Sequence, residues 1–229
     1  MLTLCLVRHG QTHQNKSKII QGQHPRFGRL TPLGMDQARA AGRALVDDFD
    51  FDHILCSPLE RAVITLSLML CERPGVDTRP IRFEDQLKEI DMGELSGQPS
   101  AAWWSAAEQA DHPMDFRPPG GESWHDVQQR VAQFFEEQIK PLSGRALLVA
   151  HGGVIRGLLA HFTGLPMAWG GKGDGISQRN ACINTAVFND DGQLISLTVD
   201  DTAHLKGLGL PVDAGRRWDL ETRSFTPLG

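Results

Sequence analysis

Short apolar runs and longer amphipathic stretches alternate along the chain. Continuous apolar runs bounded by turn-forming residues predict buried strands at residues 2–7, 53–56 and 146–150, with a further short strand at 81–83. A polar loop through Arg29 is predicted to follow the first strand. Between them, apolar residues at helical spacing predict helices over residues 35–46, 57–70, 127–139 and 154–162. Strands that alternate with helices in this way are typical of an α/β protein with a mostly parallel central sheet.

Several of these helices are preceded by residues that commonly cap a helix. Thr31 stands directly before Pro32, as an N-cap before a proline at the first helical position. Ser123 is followed by Asp126 at the spacing of a capping box, with aspartate in the usual place of glutamate. Ser57 also precedes a proline and repeats the first pattern. These signals predict where the chain enters each helix.

The C-terminal part of the chain has a different pattern. Asp190-Asp191-Gly192 is a hairpin signal between predicted strands at 185–188 and 194–199. Residues from about 205 to 229 are polar, contain Gly and Pro, and are predicted to form a C-terminal tail, either ordered or not. Because no change in composition marks a boundary, we predict a single domain over residues 1–229.

Composition places the chain among soluble globular proteins and narrows its partners. It is 40% hydrophobic and 22% charged, and no run approaches the ~20 apolar residues that span a bilayer. The net charge of −5 gives no general attraction to nucleic acid or to anionic membranes. The cysteines show neither metal-ligand nor disulfide-framework spacing, which favours reduced thiols and a cytoplasmic location; they are Cys5, Cys56, Cys71 and Cys182.

Two histidines stand where a predicted buried strand gives way to a glycine turn. His9 and Gly10 follow the first strand, and His151 and Gly152 follow a later one. Strand ends of open α/β sheets are where ligands bind, and glycine lets the backbone approach a ligand closely. Since Arg8 stands beside the first histidine, we expect an anion such as phosphate to bind there.

These residues belong to a longer series of blocks that resembles a known family. The series is similar to the signature of the histidine phosphatase superfamily, in its phosphoglycerate-mutase-like branch, and keeps the family's order. The blocks are Leu6–Thr12 with Asn15, Gln21-Gly22, Leu30–Gly34, Ser57–Ala62, Glu89 with Gly93 and Gly97, Pro119–Ser123 and Val149–Gly152. The resemblance implies a three-layer α/β/α sandwich around the central sheet.

The resemblance also implies metal-independent catalysis through a phosphohistidine. His9 would attack phosphorus as a neutral imidazole, while Arg8 and Arg61 balance the charge on the transferring phosphoryl group. His151 would be a third donor, in a protonated or a neutral state. Glu89 sits where the family keeps its general acid and would later activate water as a base. Because the arginines supply the positive charge, we expect neither a metal nor a cofactor.

Other predicted contacts are supported by weaker sequence signals. Further phosphate or substrate ligands would be the side chains of Thr12, Asn15 and Gln21, the Gly22 position and the backbone N–H of Gly152. The role of Glu89 competes with a plain alternative, a solvated acidic face shared with Asp85, Asp91 and Glu94. Trp103 and Trp104 would either line a substrate pocket or pack in the core, and the sequence favours neither.

The substrate is less defined than the chemistry. The segment 112–119 holds a single arginine, Arg117, where bisphosphoglycerate-dependent mutases are richer in arginine, which favours a phosphatase over a mutase. Residues 96–119 and the loop 170–179 would cover the mouth of the site, and Trp and Ala there favour a moderately apolar leaving group. A sugar phosphate or a bisphosphate stays open, because a second anion could be bound by Lys172, Arg179, Arg216 and Arg217.

The expected partner is a small-molecule phosphate ester, with no nucleic acid and no membrane. A homodimer is compatible with the sequence but cannot be derived from it. Two non-hydrolytic readings also stay open: a phosphate-binding module, and a phosphocarrier that passes phosphate from His9 to another protein. An enzyme is favoured because every predicted catalytic position is occupied by the required residue type.

Overall fold

A computed structural model of the protein describes residues 1–45, 50–72, 81–167 and 177–228. Its strands are β1 (Leu2–Arg8), β2 (His53–Cys56), β3 (Ile81–Phe83), β4 (Gly144–Ala150), β5 (Ile183–Phe188), β6 (Leu194–Asp201), β7 (Arg216–Asp219) and β8 (Ser224–Pro227). Its α-helices are α1 (His13–Ser17), α2 (Pro32–Ala44), α3 (Glu60–Cys71), α4 (Ser100–Ala107), α5 (Trp124–Phe134) and α6 (Gly152–Thr163). A π-helical turn, Phe135–Ile139, continues α5.

The strands form one sheet in the order β3-β2-β4-β1-β5-β6-β7-β8. Strands β3, β2, β4 and β1 run parallel to each other, and every pairing from β1 to β8 on the other side is antiparallel. The parallel register places Arg8 beside Ala150, at the carboxyl ends of β1 and β4. A histidine follows each of these residues, so His9 and His151 leave the sheet at the same edge.

Helices cover both faces of the sheet because the central strands are apolar on both sides. On one face, Leu6 of β1 lies in the same apolar cluster as Val131 of α5. On the other face, Val7 lies in a cluster with Ala41 of α2 and Leu66 of α3. A strand buried on both faces has a continuous apolar sequence, as predicted for β1. The predicted α/β class and its three layers are confirmed, and the parallel half of the mixed sheet carries the two histidines.

Most predicted elements are present, with ends that differ by a few residues. Two predicted N-caps are also confirmed. The Thr31 hydroxyl accepts a hydrogen bond from the Gly34 N–H at 3.0 Å, at the start of α2. Ser123 and Asp126 bond reciprocally at the start of α5, so the capping box holds with aspartate in place of glutamate. Local side-chain chemistry therefore sets these two helix starts.

Two local predictions are wrong. The α3 helix begins at Glu60 with Leu59 as its N-cap, and Ser57 is not the cap. Its hydroxyl accepts from the Leu59 N–H at 3.3 Å and lies 2.7 Å from His151 Nε2. The polar loop predicted after β1 contains the short helix α1. Its N-cap Thr12 and its third residue Asn15 exchange hydrogen bonds of 3.1 Å, the same capping-box arrangement with asparagine.

The C-terminal tail, whose order the sequence left open, contains two strands, β7 and β8, that extend the sheet. Each of these strands carries one large aromatic side chain, Trp218 and Phe225, whose ring centroids lie 4.9 Å apart. One aromatic residue per strand is too little for an alternating pattern, so neither strand could be predicted from its residues. The glycine-rich loop at 170–175 lies outside the described residues, and the single-domain assignment stays a prediction.

Two further observations concern the length and polarity of the helices and the state of the thiols. Among the described helices, none combines the length and the apolar character needed to cross a bilayer. The four cysteines are free thiols; Cys71 is exposed and the other three are buried. Burial raises the pKa of the Cys56 thiol to about 12, so this thiol stays protonated and unreactive.

Candidate active site

The two strand-end histidines lie side by side in the protein interior. Their ring centroids are 5.2 Å apart, with the ring planes tilted by 57°. His9 exposes 2% of its surface and His151 none. The parallel pairing of β1 with β4 brings them together, since both follow paired residues at the ends of those strands.

The His9 ring is held in one neutral form. Its Nδ1 lies 2.8 Å from the carbonyl oxygen of Gly10. A carbonyl can only accept, so Nδ1 carries the proton and Nε2 keeps its lone pair. Burial, then the positive charges of Arg61 and Arg8, hold the pKa of His9 well below its usual value. His9 is therefore a neutral imidazole at neutral pH, with Nε2 available as a nucleophile.

Arg8 and Arg61 lie next to the two histidines, and each has a guanidinium N–H group without a hydrogen-bond partner. Arg61 of α3 is 1% exposed; its Nε donates to His151 Nδ1 at 3.1 Å and one Nη to the Gly22 carbonyl at 2.9 Å. Arg8 donates an Nη–H to the carbonyl of Gln178. The second Nη of Arg61 and the Nε of Arg8 are buried and have no hydrogen-bond partner. Buried guanidinium N–H groups rarely stay unpaired, so these two mark where an anion binds.

His151 is neutral in this arrangement. An arginine can only donate, so the bond from Arg61 makes His151 Nδ1 an acceptor. The ring proton then sits on Nε2, which donates to the Ser57 hydroxyl at 2.7 Å. Burial, followed by the charge of Arg61, lowers the pKa of His151 well below its usual value. Of the two states left open by the sequence, the structure contains the neutral one.

The Glu89 carboxylate lies at the N-terminus of α6. Its Oε2 accepts from the Gly153 N–H at 3.2 Å, and its Oε1 from its neighbour's N–H, that of Ile90, at 3.0 Å. The other acidic residues of the segment have different surroundings: Asp85 pairs with Lys88 at 2.9 Å, Asp91 accepts from the Gly93 N–H at 2.9 Å, and Glu94 is exposed. The solvated-face alternative therefore does not describe Glu89, which is half-buried and close to the two histidine-bearing strand ends.

Gly153 leaves room for the Glu89 carboxylate. A Cβ at this position would lie 2.3 Å from Glu89 Oε1 and 2.5 Å from Trp124 Cζ3. Gly153→Ala is therefore expected to displace Glu89. A displacement of ~1 Å can cost on the order of 100-fold in rate, so we expect a loss of that order in kcat/KM for esters with poor leaving groups.

A control for this change lies on the same helix. At Gly157 a Cβ would lie 2.8 Å from Val131 and would meet no catalytic side chain. Gly157→Ala should lower the melting temperature without a leaving-group-dependent loss of activity. Equal activity profiles for the two variants would show that Gly153 does not position Glu89.

Four of the weaker predicted contacts bind other parts of the protein. Thr12 is fully buried, and its hydroxyl donates to Gln21 Oε1 at 3.0 Å. Asn15 caps α1 with Thr12, and the Gly22 carbonyl accepts from Arg61. Of these residues, Gly22 holds Arg61 directly, and contact of any of them with a substrate stays a prediction. The backbone N–H of Gly152 begins α6, where no intrahelical partner is available to it.

Several residues of the site had no signal in the sequence. Thr65 accepts from the Gly10 N–H at 3.0 Å and donates to the Arg61 carbonyl at 2.7 Å, so it joins the β1 turn to α3. Asn180 donates to the His9 carbonyl at 3.1 Å, and Arg156 of α6 lies close enough to Arg8 to lower its pKa, after burial. Single polar residues inside apolar elements form no motif, which is why these were missed.

The segment 96–119 lines a cleft of about 770 Å³. Trp104 and Met114 contribute to its wall, together with His125 of α5. Trp103 takes the other role left open by the sequence, since it is 3% exposed and lies in the main apolar core. The lining contains none of the predicted catalytic residues. A role of this segment in covering the phosphate site stays a prediction.

The arrangement defines a class of chemistry: a neutral histidine nucleophile, arginine N–H donors for a phosphoryl group and a carboxyl group beside them. Within the described residues, no cluster of three or more His, Cys, Asp or Glu side chains is placed to bind a metal. The sequence profile of the histidine phosphatase superfamily (branch 1) matches residues 4–201. The chain belongs to this superfamily and is one of its enzymes.

Relatives within the superfamily carry both mutase and phosphatase names. The chain is 40% identical over 174 residues to a 2,3-bisphosphoglycerate-dependent phosphoglycerate mutase of Methylobacterium radiotolerans, covering 72% of this chain and 81% of the relative. It is 30% identical over 207 residues to a probable phosphatase of Schizosaccharomyces pombe, covering 89% and 91%. The structure of a putative α-ribazole-5′-phosphate phosphatase of Escherichia coli superposes with a TM-score of 0.70 at 25% identity, covering 88% and 98%.

Proposed function

We propose that the protein is a metal-independent phosphomonoesterase that hydrolyses small phosphorylated metabolites through a phosphohistidine on His9. The observation that carries the proposal is the pair of buried, unpartnered donors on Arg8 and Arg61 next to the neutral His9. A phosphate dianion would satisfy both guanidinium groups and place phosphorus in front of Nε2. No other described arrangement brings a nucleophile and unused cationic donors together in this way.

The reaction would proceed in two displacements. First, the Nε2 lone pair of His9 forms a bond to phosphorus, the ester P–O bond breaks, and Glu89 gives its carboxyl proton to the leaving oxygen. Second, Glu89 takes a proton from water, the water oxygen bonds to phosphorus, and the P–N bond breaks. Inorganic phosphate leaves, and His9 returns to its neutral form. Arg8 and Arg61 would stabilise the equatorial oxygens in both steps.

Hydrolysis is favoured over mutase activity by the surroundings of Arg117, the single arginine of segment 112–119, and of the predicted second-anion ligands Arg179, Arg216 and Arg217. Arg117 is bound to Asp126 at 2.7 Å. Arg179 is bound to Asp200 at 2.9 Å and also lies 3.4 Å from Asp213. Arg216 and Arg217 lie on β7, three strands away from β1 in the sheet. These four arginines therefore supply little free positive charge for a second acidic group of the substrate, and Lys172 lies outside the described residues.

A second candidate is phosphoglycerate mutase activity, which the names of several close relatives favour. The two functions separate in one assay, with 3-phosphoglycerate supplied alongside a panel of phosphomonoesters and bisphosphates, in the presence of a chelator. Phosphate release that is lost in His9→Ala supports the phosphatase. Interconversion of 3- and 2-phosphoglycerate without phosphate release supports the mutase. A phosphocarrier would accumulate phosphohistidine with little release of phosphate, and a binding module would do neither.

The role of Glu89 can be tested by the leaving group. Glu89→Gln keeps the size of the side chain and removes the transferable proton. Alkyl phosphates need protonation of the leaving oxygen, and general acid catalysis contributes roughly 10²–10⁴-fold, so kcat/KM for an alkyl phosphate should fall within that range. p-Nitrophenyl phosphate, whose leaving group departs without protonation, should be affected far less. An equal loss on both substrates would remove Glu89 from the proton-transfer step.

A further inference from the structure

The short segment that carries Glu89 is held by side chains from outside it. Arg130 of α5 donates from one Nη to the carbonyl of Lys88 at 3.1 Å and also to the carbonyl of Gln86. On the other side of Glu89, the carboxylate of Glu122 accepts from the Asp91 N–H at 2.9 Å. The backbone N–H of Glu122 also donates to the Asp91 carbonyl at 2.8 Å. The residue before Glu89, Lys88, is thus held by Arg130, and Asp91, two residues after Glu89, is held by Glu122.

The side chains of Arg130 and Glu122 are bound to each other. Arg130 Nε and Nη2 donate to the two carboxylate oxygens of Glu122, each at 3.1 Å, in a bidentate pair. Their side chains expose only 20% and 24% of their surface. The backbone carbonyl of Glu89 accepts from Gln23 at 2.8 Å. With these bonds in place, the backbone on both sides of Glu89 has little freedom to move.

We propose that the Arg130–Glu122 pair is a positioning device that fixes Glu89 for proton transfer to the leaving group. This inference rests on the proposed function, because it concerns the general acid of that reaction. Among the hydrogen bonds found within the described residues, those to the Glu89 carboxylate come from the N–H groups of Ile90 and Gly153, so its place depends on where the backbone holds it. Arg130 does not touch the reacting atoms in this arrangement and is not a catalytic residue.

The test compares two substrates in two Arg130 variants. Arg130→Met removes the bonds from Arg130 to the segment and to Glu122, and Arg130→Lys keeps the charge but loses the bidentate fork. For Arg130→Met we expect kcat/KM to fall roughly 10- to 100-fold with an alkyl phosphate, and to change little with p-nitrophenyl phosphate. Arg117→Met is the matched control, since it breaks another arginine pair with α5 and should leave both activities unchanged.

A double-mutant cycle separates positioning from a general structural role. Once Glu89→Gln has removed the proton donor, adding Arg130→Met should cause no further loss specific to the alkyl phosphate. The proposal would be overturned if the two substitutions lowered kcat/KM for the alkyl phosphate by independent factors that multiply in the double variant. It would also be overturned if Arg130→Met lowered kcat/KM equally for both substrates. If Arg130→Met does not fold, as judged by thermal unfolding and by p-nitrophenyl phosphate turnover, Arg130→Lys and Glu122→Gln carry the same comparison.

Failure of this proposal can be told apart from failure of the proposed function. If the wild-type protein hydrolyses phosphate esters and Glu89→Gln is leaving-group dependent but Arg130→Met is not, only the positioning role is overturned. If the wild type releases no phosphate, or if Glu89→Gln shows no dependence on the leaving group, the proposed general acid itself is wrong and the positioning role falls with it.

Discussion

Replacing His9 with alanine is expected to reduce phosphate release by on the order of 10⁴-fold or more, because the side chain that accepts the phosphoryl group is gone. His9 is the nucleophile of the proposed reaction, and its Nε2 is the ring nitrogen left without a proton. The neighbouring His151 cannot substitute, since both of its ring nitrogens are engaged with Arg61 and Ser57. The measurement is kcat/KM on the best ester of the panel.

A matched control for this change is His53→Ala. His53 bonds through its ring to the Ser143 carbonyl at 3.2 Å, far along the sheet from the carboxyl ends of β1 and β4. This variant should keep its activity, which would show that loss of a histidine is not damaging in general. Substantial turnover by His9→Ala across the panel would rule out the covalent route.

The second large effect is expected from Arg61→Ala. Arg61 offers an unpartnered, buried Nη to the phosphoryl group and also holds His151 through its Nε. Removal of one such donor in a phosphate or oxyanion site typically costs roughly 100- to 1000-fold, so we expect kcat/KM to fall by at least the lower figure. Arg43→Ala removes an exposed arginine paired with Glu72 and should have no such effect.

Arg61→Ala should also change how activity depends on pH, in a direction that follows from the pKa of His9. Burial is the largest cause of the lowered pKa of His9, and the charge of Arg61 is the next. Without that charge the pKa of His9 rises toward its usual value, so a larger share of His9 is protonated as the pH falls. The residual activity of Arg61→Ala should therefore decline on the acid side at a higher pH than wild-type activity does. A near-wild-type rate with an unmoved acid limb would place Arg61 outside the site.

The sequence predicted the core of the site because its residues lie at the ends of strongly apolar strands. A run buried on both faces, as in β1, is recognisable without any tertiary information, and it places His9 at a strand end. Thr31 and Ser123 mark helix starts through contacts within a few residues, so they were also predictable. Features that depend only on residues close together in the sequence could therefore be predicted from the sequence alone.

Features that depend on contacts between distant residues could not be derived. The neutral state of His151 follows from a bond to Arg61, which is 90 positions away in the chain. The Ser57 hydroxyl accepts from the Leu59 N–H at 3.3 Å, a local contact, and also bonds His151 at 2.7 Å, a contact across 94 positions that the sequence does not show. Arg130 is one of several polar residues on α5, and nothing in its spacing shows that it reaches the backbone beside Glu89.

The C-terminal strands illustrate a different limit. Strands β7 and β8 pair with each other and, through β7, with β6, so their structure comes from backbone hydrogen bonding at the sheet edge. Arg216 and Arg217 on β7 are exposed, and such an edge strand shows no apolar alternation. A polar sequence at the edge of a sheet therefore resembles a loop until the neighbouring strand is known.

The central claim is that His9 carries the phosphoryl group, and rapid-quench trapping with a ³²P-labelled ester tests it most directly. The account predicts label on the protein within one turnover, stable in alkali and labile in acid as a phosphoramidate is, and located at His9 by peptide mapping. The label should be absent from His9→Ala. Single-turnover release of phosphate by the wild type with no labelled protein at any quench time would contradict the account.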